Sequence, residues 1–145
     1  MVKKYLTACA ALLMLATASV DAQTLYAGIG RISPSSWGET NGTEGRIVSF
    51  DLSDPSTFTG EFCRDAIGEG EMFTAGATAG NTYYGILFNE DAWIRRFCAF
   101  NFETNEMSVI SESGANLVSM AYDEASQTLY GLRGGSAIVT VDMAT

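Results

Sequence analysis

Residues 117–145 read LVSMAYDEASQTLYGLRGGSAIVTVDMAT, and the fold follows from how this stretch alternates. Leu117, Ser119 and Ala121 interleave with Val118, Met120 and Tyr122. Apolar side chains therefore fall on both faces of one extended segment, as in a sheet packed between neighbours. Asp123-Glu124-Ala125-Ser126-Gln127 is a polar turn cluster. Thr128-Leu129-Tyr130-Gly131-Leu132 resumes β-forming residues. Gly134-Gly135 is a hairpin signal, because a tight turn needs positive φ at little steric cost. Ala137–Met143 is then a third strand.

Two pieces of this unit recur upstream. Leu129-Tyr130-Gly131-Leu132 echoes Tyr83-Tyr84-Gly85-Ile86 and Leu25-Tyr26-Ala27-Gly28. Ile138-Val139-Thr140-Val141-Asp142-Met143 echoes Ile47-Val48-Ser49-Phe50-Asp51-Leu52 and Phe97-Cys98-Ala99-Phe100-Asn101-Phe102. Copies of the second motif start 50 and 41 residues apart, close to the period of four-stranded propeller blades. An apolar-Tyr-Gly-apolar strand, a turn, and a strand ending in Asp or Asn resembles the blades of secreted bacterial β-propeller repeat proteins. The resemblance covers most of residues 24–145. It implies an all-β fold of antiparallel four-stranded β-propeller-like blades, about two and a half to three of them, in an incomplete ring. A β-sandwich is the alternative, since its strands alternate in the same way. The units are expected at about 23–66, 67–113 and 114–145. Asp51, Asn101 and Asp142 then share one register, which suggests a side-chain bond within a turn. Tyr26, Tyr84 and Tyr130 share another and are expected to pack between blades.

Lys3-Lys4, an apolar run from Tyr5 to about Thr17, and Val20-Asp21-Ala22 form a charged, then apolar, then small-residue series. This is the pattern of a secretory signal peptide over residues 1–22, with cleavage expected after Ala22 and Ala18 as second choice. The apolar run is shorter than the ~20 residues a membrane span needs, so no integral membrane segment is expected after cleavage. Cys9 lies near the start of the apolar run rather than after it, which argues against a lipoprotein site. The expected location is secreted, periplasmic or at the cell surface. The chain carries a net charge of −9. Loss of residues 1–22 removes both lysines and one aspartate, leaving −10. Nucleic-acid binding needs clustered cations to neutralise phosphates, and after residue 22 Arg95-Arg96 is the single basic pair.

After the first strand, Gly30–Arg46 is a long polar insertion carrying Pro34, Trp37, Gly38, Asn41 and Gly42. Loops of this length are commonly functional or mobile. Trp37 is the candidate ligand contact, because a tryptophan among Gly, Ser and Thr can stack on a ligand. The plainer alternative is that it caps a neighbouring apolar face. Asn41-Gly42-Thr43 is a glycosylation sequon if the source is eukaryotic. Asp54-Pro55-Ser56 is expected to turn the chain into a short strand, Phe58–Cys63. No segment after residue 22 has an apolar stripe at helical spacing. Counted this way, the units hold three, four and three strands. Three units fall short of the four to eight blades of a closed ring. The chain is therefore expected to be an N-terminal fragment of a longer propeller, or an open arc that associates through its edges.

The residue inventory narrows the chemistry. The sequence contains no histidine, which removes Ser-His-Asp triads and His-ligated zinc. Cys63 and Cys98 are the two cysteines after the leader. In an exported chain they read as a disulfide, or, for Cys98, as a small buried apolar residue aligned with Val48 and Val139. Glu69-Gly70-Glu71 and Asn89-Glu90-Asp91 do not match the calcium-loop spacing and read as solvated turns. Gly76, Gly80 and Gly85 have no helix after them and so form no phosphate loop. No catalytic, cofactor-binding or metal-binding residue is assigned, and no cofactor is expected. The expected function is a secreted module that binds or scaffolds a protein or a glycan. The alternative is the front part of a propeller enzyme acting on polysaccharide.

Overall fold

A computed structural model describes residues 24–28, 45–63, 65–68, 70–134 and 137–144. Residues 1–22, expected as a signal peptide, with Cys9, together with most of the insertion with Trp37 and Asn41, Glu69 and Gly135, lie outside the described residues.

The described residues form strands and turns, without a helix: β1 (Thr24–Gly28), β2 (Ile47–Asp51), β3 (Asp54–Phe62), β4 (Glu71–Ala79), β5 (Thr82–Asn89), β6 (Ile94–Asn101), β7 (Glu106–Ser111), β8 (Leu117–Asp123), β9 (Thr128–Arg133) and β10 (Ala137–Val141). They make three open antiparallel sheets: β1-β2-β3, β4-β5-β6-β7 and β8-β9-β10. Each strand pairs with its neighbour in sequence, so every connection within a sheet is a hairpin. The all-β expectation holds. One turn is corrected: Asp54-Pro55-Ser56 belongs to β3. Proline is tolerated there because β3 is an edge strand, whose outer side needs no amide donor.

The second sheet lies between the other two, and its central strand shows why. In β5, Tyr83 and Leu87 enter a core shared with Ile47, Cys63, Phe73, Cys98 and Phe100, against which Tyr26 and Phe62 of the first sheet pack. The intervening Ile86, with half-buried Tyr84, faces a second core of Ala75, Phe97, Leu117, Met120 and Leu129. A strand buried on both faces reads as a continuous apolar run, and Tyr83–Phe88 is one. Aromatic side chains dominate the first core. The Tyr26 ring stacks on Phe102 at 4.2 Å, and Phe62 meets Phe102 edge-on at 5.0 Å.

The third sheet departs from expectation. Leu117 and Met120 are buried on the side facing the second sheet, whereas Val118 is 55% exposed. Among the described residues only one face of this sheet is covered.

The second and third sheets share a local device. The β4–β5 register slips between Phe73 and Ala75, and the β8–β9 register slips between Leu117 and Ser119. Relative to Gly85 and Gly131, these bulges sit at the same place. Each glycine leaves space for the residue just before the bulge. A Cβ on Gly85 would lie 2.6 Å from the Phe73 ring, and one on Gly131 would lie 2.6 Å from Leu117 Cδ1. The bulge lets two residues oppose one, and the missing side chain admits a bulky neighbour from the adjacent strand.

Candidate functional site

A cleft opens between the second and third sheets. The pleat of the second sheet builds one wall. β5 turns Thr82 and Tyr84 toward the cleft, β6 turns Ala99 and Asn101, and β7 turns Glu106, Ser108 and Ile110. With Thr104 from the β6–β7 turn and Met143 after β10, they enclose about 450 Å³. A separate space of about 230 Å³ is lined by Ile86 and Phe97 of the second sheet and by Leu117 and Val139–Asp142 from the third sheet and its end. Tyr84 is held by its ring, which stacks on Phe97 at 6.1 Å.

The turn at the cleft rim is closed by hydrogen bonds. Asn101 Oδ1 accepts the backbone amides of Glu103 and Thr104 at 2.8 and 3.1 Å. Asp51 Oδ1 accepts the Ser53 amide at 2.7 Å, and Asp142 Oδ1 accepts the Ala144 amide at 2.9 Å. The in-register Asp, Asn and Asp therefore do make turn bonds of one kind. The Ser53 hydroxyl and then its amide hold the exposed Asp51 carboxyl below the usual carboxylate range. Tyr26 and Tyr84 pack against the first and second cores, whereas Tyr130 lies on the uncovered side of the third sheet.

Other sequence candidates fall elsewhere. Cys63 and Cys98 are both buried in the first core, where each carries a free thiol. Burial pushes the Cys63 thiol up to about 12 and that of Cys98 up to about 11. Such thiols are poor nucleophiles. Glu71 is not a solvated turn carboxylate. Its side chain is 10% exposed and pairs with Arg96, and its Oε2 accepts the Gly68 amide at 3.0 Å. The sequence missed this because the partner lies 25 residues away. Arg95 instead lies over the Phe88 ring at 4.6 Å, so the basic pair is divided between an ion pair and a ring. Asn89 Oδ1 accepts the Ala92 amide at 2.8 Å, closing a hairpin turn.

Among the described residues, no group of three His, Cys, Asp or Glu side chains could hold a metal. No helix among them is long and apolar enough to cross a membrane. The cleft residues Thr104, Glu106 and Ser108 were not singled out from the sequence. For Glu106 and Ser108 the signal is the period-two alternation of β7, which gains meaning only once the third sheet stands opposite; Thr104 belongs to the turn before it. Comparison with known proteins finds no family model, no curated protein and no solved structure that matches this chain.

Proposed function

We propose that the chain is a secreted binding module made of β-propeller-like blades, and that the cleft between the second and third sheets takes a hydroxyl-rich glycan. The observation that carries this reading is the cleft lining. A tyrosine ring is flanked by Thr82, Asn101, Thr104 and Ser108, with one carboxylate, Glu106. Sites for sugars combine an apolar ring surface with a few placed donors and acceptors, as this one does. The blade reading is supported by the bulge over a glycine in two sheets and by the three in-register turn bonds.

A second reading has its own observation. Among the described residues β10 ends its sheet and pairs with β9 alone, and its residues Val139–Val141 line the smaller space between the two sheets. An exposed edge of this kind binds an extended peptide by strand addition. Titration of soluble neutral and amino-sugar oligosaccharides onto the chain separates the two. Under the glycan reading Tyr84→Ala and Glu106→Gln each weaken binding at least tenfold. Absence of binding by every oligosaccharide, with retention of extended peptides, contradicts it in favour of strand addition.

A further inference from the structure

We infer that the uncovered face of the third sheet is a docking surface for a further antiparallel sheet of the same kind. This inference rests on the blade part of the reading above and is independent of what the cleft binds. Strand register makes Ile47, Phe97 and Ile138 equivalent. They pair across from Gly28, Ile86 and Leu132, each one place beyond the Ala27, Gly85 or Gly131 position. Ile47 is fully buried and Phe97 is 4% exposed, because the next sheet covers each of them; Ile138 is 75% exposed. The neighbouring position behaves alike: Ile86 is 1% exposed and its counterpart Leu132 is 40% exposed.

The chemistry of the face matches that of its covered counterpart. In the second sheet, Ala75, Ala77, Tyr84, Ile86 and Phe97 meet the third sheet. At the same register positions the third sheet presents Ser119, Ala121, Tyr130, Leu132 and Ile138. None of these carries a charge, and they line a shallow groove of about 190 Å³. Exposed apolar surface of this continuity marks an interaction site. The occupant that fits has the inward face of the third sheet itself. Leu117, Met120, Leu129 and Val139 already pack on the equivalent surface of the second sheet.

The test uses Ile138→Cys in the 145-residue chain and in a chain extended after Thr145 by a second copy of residues 105–145. That extension supplies a fourth strand in the β7 position and another β8–β10 sheet. Maleimide labelling is localised to position 138 by mass spectrometry. Rapid labelling in the 145-residue chain, slowed at least tenfold in the extended chain, is the expected result. Equal rates in the two chains overturn the inference. So does slow, concentration-dependent labelling in the 145-residue chain, which assigns the face to a second copy. If the extended chain does not fold, melting of the 145-residue chain still decides. Ile138→Asp should shift Tm by less than about 4 °C, whereas Phe97→Asp should unfold the chain. Unfolding by Ile138→Asp means the face is already filled and overturns the inference. Failure of the blade reading is seen separately, as loss of contact between Ile86 and Leu129.

Discussion

The Phe73 ring lies directly over Gly85, so close that a Cβ on the glycine would stand 2.6 Å from one ring carbon and 2.9 Å from the next. Leu117 covers Gly131 in the same way, though there the nearest atom is a methyl group at the end of a flexible side chain. Overpacking of this kind costs about 1–3 kcal/mol. Gly85→Ala should fall at the upper end, because the ring is also confined by Tyr83 at 5.3 Å. Gly131→Ala should fall at the lower end, because Leu117 can turn aside. Urea denaturation of both variants checks the ranking.

Equivalent positions should differ in energetic weight according to what covers them. Phe97→Ala removes a buried ring from the second core and should cost about 3–5 kcal/mol. Ile138→Ala trims an exposed side chain and should stay within about 0.5 kcal/mol of the parent. Chemical denaturation of the two variants measures the contrast.

Alkaline pH should destabilise the chain. Cys63, Cys98 and Tyr83 are protonated and buried in the first core, with ordinary values of 9.0, 9.0 and 10.0 raised by burial to about 12, 11 and 12. A group whose folded value is raised gives stability that is complete below the unfolded value and is lost as pH rises toward the folded one. Tm should therefore hold to about pH 9 and fall between there and about pH 12. Cys98→Ala should flatten the first part of that fall. A pH series of thermal melts reads both effects.

The turn bond of Asn101 should be separable from its neighbours. Asn101→Ala frees two backbone amides at the cleft rim and should cost about 0.5–1.5 kcal/mol. Asn101→Asp keeps the acceptor and should retain most of the stability. Thermal melts of the two variants near neutral pH check the difference.

Much of the fold was legible because the apolar pattern has period two and the hairpins are local. The in-register Asp, Asn, Asp series announced its turns, whereas the burial of Tyr83–Phe88 on both faces emerges only with the neighbouring sheets in place. Three things were hidden. The bulges at Thr74 and Val118 leave no mark in a pattern that cannot show which strand gains a residue. The burial of Glu71 depends on Arg96, a partner distant in the chain. The cleft exists only between two sheets, and no single strand encodes it. Residues 117–122 read as a segment covered on both faces, and one of those faces is uncovered.

Aromatic and methyl NOEs from β5 test most directly whether the second sheet is held between two others. Contacts from Tyr83 and Leu87 to Ile47 of the first sheet are expected, together with contacts from Ile86 to Leu129 of the third. A β5 strand whose Ile86 side shows contacts only within its own sheet, as in a two-layer sandwich with one face in solvent, would contradict it.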